Sequence, residues 1–256
     1  MLNFTSSIWS TIEQALAEDL GTGDITTDSL IPPDIQGRGT ILAKASGVVA
    51  GLEVALEVFQ LADPSLETRV LLADGSQIAP GDTIAEVEGS IAGILKGERV
   101  ALNFLQRLSG IATETSRYVR AVAGTRARII DTRKTVPGLR ELEKYAVRVG
   151  GGHNHRFNLA DGILIKDNHI AALRALELSM ADIIQRARDN APHTLRVEIE
   201  VETVEEAREA LEGGADVILL DNMAVEEMRQ VVTLVQGRCP LEASGGISLE
   251  TVAAVA

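Results

Sequence analysis

Two neighbouring segments of the chain combine permanent positive charge with glycine. They are Asp131-Thr-Arg-Lys-Thr-Val-Pro-Gly138 and Gly150-Gly-Gly-His-Asn-His-Arg156. Between positions 126 and 156 there are eight Lys or Arg residues and two His residues against three acidic residues, whereas the whole chain has a formal net charge of −13. Because a cleft of one sign concentrates ligands of the opposite sign, this local reversal predicts a site for a multiply charged anion.

The candidate anion ligands are the cationic side chains in and near these segments. Arginine offers paired planar donors to a carboxylate, and lysine offers a point charge that suits phosphate. The candidates are Arg133, Lys134, His155, Arg156 and Lys166. A solvated basic loop is the alternative for the Arg133-Lys134 pair, and a structural role is the alternative for His155. Lys166 ends an apolar run, so the alternatives for it are a side chain that only extends to solvent or a Schiff-base lysine.

Two acidic residues, Glu200 and Asp221, end neighbouring predicted strands. Paired carboxylates can bind Mg²⁺, accept hydrogen bonds from sugar hydroxyls, or act as acid and base. The alternative is that each caps the following helix. Glu198 and Glu202 alternate with Glu200, and at least one of the three is expected to face solvent. Glu200 is the preferred candidate because it ends its predicted strand.

Two glycine runs indicate close approach of the backbone to a neighbour. Gly150–Gly152 would allow a ligand to approach, although a helix C-cap followed by a turn also explains it. Ser244-Gly245-Gly246 lies between a predicted strand and a predicted helix, where backbone N–H groups can hold a phosphate.

From about residue 125 onward, short apolar runs alternate with amphipathic segments. The predicted strands cover residues 127–131, 162–166, 196–200, 217–221 and 241–244. The predicted helices cover residues 139–149, 170–191, 204–212 and 224–235, with a further helix beginning at 249. Repeated strand–helix units of this kind predict parallel strands covered by helices.

Polar residues follow each of these strands, and in (β/α) barrels the site lies at the carboxyl ends of the strands. The strands are fewer than a closed barrel needs. The sequence therefore predicts an α/β protein with an incomplete (β/α) TIM-like barrel, truncated at its C-terminus, and a doubly wound open sheet is the alternative.

The first half has a different organisation, with helices predicted at residues 8–19, 52–61 and 97–123 and β structure at 40–51 and 73–87. This mixture predicts an N-terminal α+β open sandwich domain. We place it at residues 1–108 and the barrel at residues 109–256.

Composition limits the classes of partner. Aromatic residues make up only 3% of the chain, and the pI is about 4.8; both argue against nucleic acid, and the pI argues against an anionic membrane. Cys239 is the single cysteine, which excludes an intrachain disulfide and a cysteine-rich zinc site. With no signal peptide and no long apolar run, we expect a cytoplasmic protein with a small-molecule partner.

The motifs together resemble the quinolinate phosphoribosyltransferase family, the carboxylating nicotinate-nucleotide pyrophosphorylases. Asp131-Thr-Arg-Lys-Thr135 and Gly151-Gly-His-Asn-His-Arg156 carry the resemblance most specifically, and it extends over nearly the whole chain. The other matching segments, in the family's order, are 18–26, 97–113, 157–169, 198–202, 219–222 and 243–246.

The resemblance implies an N-terminal α/β sandwich and an incomplete barrel, paired head to tail in a homodimer or a higher homo-oligomer. It implies phosphoribosyl transfer from phosphoribosyl pyrophosphate to quinolinate with decarboxylation, a step in NAD biosynthesis, and Mg²⁺ carried by the donor. The implied quinolinate ligands are Thr132, Arg133, His155, Arg156 and Lys166. Lys134 would lie between substrate and pyrophosphate, and Arg99 would enter the partner's site.

On the donor side, the resemblance implies that Glu200 and Asp221 hold the ribose hydroxyls and, indirectly, Mg²⁺. Ser244, Gly245 and Gly246 would hold the 5′-phosphate. Lys134, Lys166, Glu200 and Asp221 are thus the expected catalytic residues.

Three other functions fit part of the sequence. A nicotinate phosphoribosyltransferase would need fewer cations, because its substrate has one carboxylate. A Schiff-base aldolase would use Lys166 but would leave Arg133 and Arg156 without a role. The segments around Lys44 and 74–81 resemble half-repeats of a biotinyl or lipoyl carrier domain, although the lysine lacks the flanking Met or Asp of a modification site.

Overall fold

The computed structural model describes residues 2–256, which form two compact units. The first unit runs through Ala123 and also contains Arg128–His155, and the second consists of Gly124–Ala127 and Arg156–Ala256. The boundary predicted between residues 108 and 109 lies inside a continuous helix, Ile91–Ala121. That helix belongs whole to the first unit.

The first unit combines helices with two small antiparallel sheets. Its helices are α1 (Ser6–Leu20), α2 (Ile25–Leu30), α3 (Leu52–Ala62), α4 (Ile91–Ala121) and α5 (Arg140–Val149). Its strands are β1 (Gln36–Leu42), β2 (Gly47–Val48), β3 (Glu67–Val70), β4 (Gln77–Ile78) and β5 (Thr83–Ser90). β5 lies between β1 and β3 in one sheet, and β2 pairs with β4 in the other. The predicted α+β character of this half is confirmed.

Helix α4 is longer than the predicted helix 97–123 at its N-terminal end. The hydroxyl of Ser90 caps it by accepting a hydrogen bond from the Gly93 backbone N at 3.2 Å. A Cβ atom on Gly97 would lie 2.8 Å from the Phe59 ring, so this glycine allows α3 and α4 to pack closely. It does not mark the start of the helix.

The predicted strand 40–51 is divided into β1 and β2. The pairing of β1 with β5 shifts register between Ile41 and Leu42. The chain then leaves that sheet, and β2 pairs with β4 in the second one. The division therefore reflects a change of sheet.

The second unit contains a four-stranded parallel sheet in the order β6-β7-β8-β9. Its strands are β6 (Ile163–Ile165), β7 (Val197–Val201), β8 (Val217–Asp221) and β9 (Leu241–Ser244). Its helices are α6 (Asp167–Arg174), α7 (Met180–Asp189), α8 (Val204–Glu212), α9 (Val225–Val235) and α10 (Val252–Val255).

The helices of this unit pack on one face of the sheet. Ile165, Ile199 and Ile218 of successive strands are buried in one apolar cluster with Ile184 of α7 and Val231 of α9. In a doubly wound sheet, helices cover both faces and the strand order reverses. Sequential order with helices on one face is the arrangement of a barrel wall, so the predicted incomplete barrel is confirmed and the doubly wound alternative is not.

Two predicted elements of the second half were wrong. The predicted strand 127–131 is reduced to a single parallel bridge between Ile130 and His153. Ile130 is 37% exposed, and the residues before Ile129 are also exposed. The segment therefore buries too little apolar surface to form a strand of the core.

The predicted helix 170–191 is two helices, α6 and α7. Glu177 adopts a left-handed conformation with φ of 62°, which interrupts the helix. Ser179 then starts α7, because Ser179 and Asp182 cap each other's backbone N–H groups at 3.2 and 3.0 Å. No helix among residues 2–256 has both the length and the apolar character needed to cross a membrane.

Candidate active site

Polar residues occupy the carboxyl ends of all four strands of the parallel sheet. Lys166 follows β6, Asp221 and Ser244 are the last residues of β8 and β9, and Glu200 is the penultimate residue of β7, which ends one residue later than predicted. Side chains alternate between the two faces of a strand, and the residues before Lys166, Glu200 and Asp221 enter the helix-covered core, whereas Ser244 pairs in register with Asp221. The four polar side chains therefore share the opposite face, at one edge of the sheet.

Lys166 and Glu200 form an ion pair across neighbouring strands. Lys166 Nζ lies 3.3 Å from Glu200 Oε2, and the side chains are 45% and 13% exposed. An ion pair this open to solvent contributes little to folding stability. Its effect is to hold a cation and a carboxylate together where both can reach a ligand.

The three glutamates near β7 have different environments. Glu198 is buried, Glu200 is mostly buried at the strand end, and Glu202 is exposed beyond it. The expectation that one of them faces solvent is confirmed for Glu202.

The backbone of Lys166 is fixed by His169. The Lys166 backbone N donates a hydrogen bond to His169 Nδ1 at 2.9 Å, and the His169 backbone N donates to Lys166 O at 2.8 Å. Lys166 precedes α6, so the histidine side chain occupies the place of an N3 cap. This contact was not predicted from the sequence, although Lys166 and His169 stand at the three-residue spacing of a helix cap.

The glycine pair after β9 forms a turn of left-handed backbone. Gly245 and Gly246 have φ angles of 84° and 65°, a region that glycine adopts without steric cost. The next helix, α10, begins only at Val252, later than the predicted start at 249. The turn and the helix are therefore separate features.

In the first unit, a buried ion pair joins the two cationic segments. Lys144 Nζ donates to Asp131 Oδ1, and these side chains are only 4% and 8% exposed. Lys144 Nζ also donates to the His155 carbonyl at 3.1 Å, and the His155 backbone N donates to Asp131 Oδ1 at 2.8 Å. Asn154 Nδ2 contacts Asp131 Oδ2 at 2.5 Å. The network fixes the start of the 131–138 segment against residues 153–155.

The residues after Asp131 form a tight local turn. Thr132 Oγ1 accepts a hydrogen bond from the Lys134 backbone N at 3.0 Å. Lys134 is exposed, whereas Arg133 is half-buried and its Nε is buried with no hydrogen-bond partner among residues 2–256. A buried guanidinium N–H without a partner is costly, which is the condition expected of a group that awaits an anionic ligand.

A second ion pair supports the far end of this turn. Glu143 of α5 accepts hydrogen bonds from Arg107 of α4 and from the Val136 backbone N, the latter at 3.3 Å. Glu143 is 8% exposed. The anion-binding candidates thus stand on a loop that is held by two buried charges of α5, Glu143 and Lys144.

The glycine run 150–152 packs against α4. A Cβ atom on Gly150 would lie 2.4 Å from the Ala112 carbonyl oxygen, and one on Gly152 would lie 2.8 Å from a Thr115 side-chain carbon. Close approach at these two glycines is therefore to a helix, so their small size is explained without a ligand.

The two remaining arginines lie in different units. Arg156 is in the second unit and donates through Nη1 to the Gly162 carbonyl at 3.2 Å, which closes the loop before β6. Arg99 is exposed on α4 of the first unit and makes no hydrogen bond or ion pair with residues 2–256.

Comparison with known proteins identifies related chains over almost the full length. The family model "Quinolinate phosphoribosyl transferase, N-terminal domain" matches residues 24–109, and the model for the C-terminal domain matches residues 111–256. A probable nicotinate-nucleotide pyrophosphorylase (carboxylating) of Bacillus subtilis is 47% identical over 237 residues, which cover 93% of this chain and 80% of that protein.

Solved structures are similar in fold as well as in sequence. The crystal structure of NadC from Streptococcus pyogenes has a TM-score of 0.93 at 44% identity, covering 99% of this chain and 88% of that one. The nicotinate-nucleotide pyrophosphorylase of Ehrlichia chaffeensis has a TM-score of 0.91 at 38% identity, covering 100% of this chain and 90% of that one.

Proposed function

The chain belongs to the quinolinate phosphoribosyltransferase family, and we propose that it transfers the phosphoribosyl group of phosphoribosyl pyrophosphate to quinolinate. The products are nicotinate mononucleotide, pyrophosphate and CO₂. The observation that carries this proposal is the 47% identity, over 93% of the chain, to a relative named for the carboxylating pyrophosphorylase reaction. Such a relative also favours quinolinate over nicotinate as the acceptor, and phosphoribosyl transfer over aldol chemistry at Lys166.

The reaction places opposite charges at defined positions. The ring nitrogen of quinolinate forms a bond to C1 of the ribose while the C1–pyrophosphate bond breaks, so positive charge develops on the sugar and negative charge on the leaving group. The nitrogen is then cationic and accepts the electron pair released when the adjacent carboxylate leaves as CO₂. A proton replaces the carboxylate on the ring carbon. No side chain has to act as a nucleophile, so positioning and electrostatic stabilisation are the protein's main contributions.

The sheet edge supplies the groups suited to the sugar phosphate. We assign Glu200 and Asp221 to the ribose hydroxyls and Ser244–Gly246 to the 5′-phosphate. Carboxylate oxygens are also the ligands that Mg²⁺ prefers, commonly together with substrate phosphates. The same two carboxylates therefore fit a Mg²⁺ ion carried by the donor, which would neutralise charge on the departing pyrophosphate.

The cationic residues are assigned to the acceptor and the leaving group. Thr132, Arg133, His155, Arg156 and Lys166 are the proposed ligands of quinolinate. The support for Arg133 is its buried Nε, which has no hydrogen-bond partner among the described residues. Lys134, exposed on the same turn, is assigned to the pyrophosphate side.

A shared site in a homodimer is part of the proposal. Arg99 is assigned to the partner's active site. Its support is that the side chain is exposed on the long helix α4 and has no hydrogen bond or ion pair with any described residue. The proposal includes a homodimer or a higher homo-oligomer. It also includes a cytoplasmic location, as expected from the sequence.

The experiment is an acceptor comparison with purified protein, phosphoribosyl pyrophosphate and Mg²⁺. Quinolinate labelled in its 2-carboxylate should release labelled CO₂ in step with nicotinate mononucleotide formation. Nicotinate, offered in its place, should yield little product. Equal or faster use of nicotinate would overturn the assignment in favour of the non-decarboxylating reaction.

A further inference from the structure

Asn222 follows β8 directly and has an uncommon backbone conformation. Its φ angle is 53°, and the other non-glycine residues with positive φ among those described, Glu177 and Gln236, lie at helix ends or between helices. Asparagine is one of the few side-chain-bearing residues that adopt this region readily. Glycine would adopt this backbone conformation more easily, so the presence of asparagine indicates that its side-chain amide has a function.

The amide of Asn222 holds the Asp221 carboxylate. Asn222 Nδ2 donates a hydrogen bond to Asp221 Oδ2 at 2.8 Å. Asp221 is half-buried, and it is the last residue of β8. Without this bond, the side chain of Asp221 would be free to rotate about its own torsion angles.

Asn222 also contacts the glycine turn after β9. Its backbone N donates to the Ser244 carbonyl at 2.8 Å, which extends the pairing of Asp221 with Ser244 by one bond. A Cβ atom on Gly245 would lie 2.1 Å from Asn222 Oδ1 and 2.5 Å from Asn222 Cγ. The side chain of Asn222 therefore fills the space beside Gly245, whereas a Cβ atom on Gly246 would meet no atom within 4 Å.

We propose that Asn222 is a positioning residue that fixes the Asp221 carboxylate and the Ser244–Gly246 turn relative to each other, so that both meet one phosphoribosyl donor. This inference rests on the proposed function, because it takes Asp221 and the turn as the ribose and phosphate contacts. One side chain links the two through its Nδ2 on one side and its Oδ1 and Cγ on the other. Gly245 is required because Asn222 occupies the position of its side chain.

Three substitutions of Asn222 distinguish the contribution of its side-chain amide from that of its backbone conformation. Asn222→Gly removes the amide but keeps a residue that tolerates positive φ. Asn222→Asp keeps the shape but replaces the Nδ2 donor by an oxygen that repels Asp221. Asn222→Ala removes the amide and adds backbone strain.

Kinetics with both substrates form the first test. For Asn222→Gly we expect KM for phosphoribosyl pyrophosphate to rise about tenfold, the factor for one lost hydrogen bond to a charged group. The Kd of quinolinate for the free enzyme should stay close to that of the wild type. Asn222→Asp should be at least as impaired as Asn222→Gly, because shape alone does not replace the donor. Wild-type kinetics in Asn222→Asp and Asn222→Gly would overturn the inference, as would equal weakening of both substrates.

Thermal unfolding provides the second test, which needs no substrate. Gly245→Ala should lower Tm more than Gly246→Ala, since both add a methyl group at positive φ but only the first meets Asn222. In an Asn222→Gly background, the difference in Tm between the two alanine substitutions should become smaller, because the side-chain contacts at 2.1 and 2.5 Å are gone and the approach to the backbone N of residue 222 at 3.0 Å remains. An unchanged difference in that background would overturn the proposed contact.

The activity of the wild-type enzyme distinguishes a failure of the proposed function from a failure of the role assigned to Asn222. A wild-type protein that fails to use quinolinate and phosphoribosyl pyrophosphate rejects the proposed function, and the role of Asn222 in donor positioning is rejected with it. An active wild type with an unimpaired Asn222→Gly variant rejects the role of Asn222 alone.

Discussion

Lys144 and Asp131 form a buried ion pair that joins helix α5 to the start of the cationic segment 131–138. The pair is buried on both sides, and Asp131 has two further donors, the His155 backbone N and Asn154 Nδ2. Lys144 has one further acceptor, the His155 carbonyl. The carboxylate is thus better compensated than the ammonium group.

This asymmetry predicts the order of two single substitutions. Breaking a buried ion pair from one side costs about 3–5 kcal/mol. Asp131→Asn should be the more destabilising change, because it leaves a buried ammonium that has only neutral acceptors, the new amide oxygen and the His155 carbonyl, and it turns an amide donor toward Asn154 Nδ2. Lys144→Met leaves a carboxylate that keeps two donors. Urea unfolding followed by circular dichroism measures both.

The double variant and a surface pair serve as controls. Asp131→Asn with Lys144→Met should lose less than the sum of the single changes, because no charge is then left uncompensated. Glu114→Gln, which breaks the exposed pair with Arg117, should change stability little. Additive losses at Asp131 and Lys144 would contradict a direct pair.

Tyr145 is predicted to make stability depend on alkaline pH. Burial, and then the hydrogen bond from its hydroxyl to Asp74 Oδ2 at 2.7 Å, raise the pKa of Tyr145 well above its usual value of 10.0. Below that value both folded and unfolded chains hold the phenolic proton, so the full contribution is present. Above it the unfolded chain loses the proton while the folded chain keeps it, so stability falls as pH rises.

The comparison of the wild type with Tyr145→Phe isolates this effect. Near pH 8, Tyr145→Phe should cost about 1.5–3 kcal/mol, the contribution of one hydrogen bond to a charged group. Asp74 keeps the backbone N groups of Gly51 and Leu52 as donors in the variant. Urea unfolding at about pH 8 and about pH 11 should show the difference shrinking at the higher pH. A constant difference would contradict the raised pKa.

Gly150 is predicted to be intolerant of even a methyl group. Its φ angle is −72°, so an alanine there meets no backbone strain. The cost would come from contact with the Ala112 carbonyl oxygen, and overpacking of this kind costs about 1–3 kcal/mol. Gly110→Ala is the matched control, because a Cβ atom there meets no atom within 4 Å and alanine favours the interior of α4. Thermal unfolding should therefore show a lower Tm for Gly150→Ala and a higher Tm for Gly110→Ala. A raised Tm for Gly150→Ala would contradict the close packing of Gly150 against α4.

The site was predictable from sequence where chemistry coincides with a strand end. Lys166, Glu200, Asp221 and Ser244 each stand at or next to the end of a strand that was predicted from sequence, and parallel strands bring such positions to one edge. The conformation of Asn222 was not predictable, because its approach to Gly245 depends on the register in which β8 pairs with β9. The sequence also left two explanations for Gly150, and only the position of α4 decides between them.

The role of Lys144 was equally hidden. It stands in an amphipathic helix, where a lysine normally extends to solvent. Its burial depends on Asp131, across a loop of irregular structure in which the expected strand is reduced to one bridge. Periodicity identifies helices and strands, but it does not show which charged residue of a helix meets a buried partner.

Quinolinate binding should depend on Arg133 and Arg156 more than on net charge. Removal of an arginine that pairs with a substrate carboxylate in a desolvated site costs about 2–5 kcal/mol of binding. Arg128→Ala is the matched control, since it removes the same charge from an exposed position in the same basic stretch. Calorimetric titration with quinolinate should show large losses for Arg133→Ala and Arg156→Ala only. Equal losses in all three variants would indicate a general electrostatic effect, and no loss would count against the assigned ligands.

Arg99 and Lys166 should complement each other between subunits. If Arg99 acts in the partner's site, then Arg99→Ala and Lys166→Ala should each abolish most activity alone. In a mixed dimer, one site would contain both defects and the other would contain neither. Random mixing gives about half of the dimers one chain of each kind, and each of these has one intact site of two. About a quarter of wild-type activity should therefore be restored. A mixture of Lys166→Ala with Glu200→Gln is the control, because both residues belong to the same unit and no intact site can form. Mixed dimers, verified with two affinity tags, that show no recovery above this control would rule out a shared site.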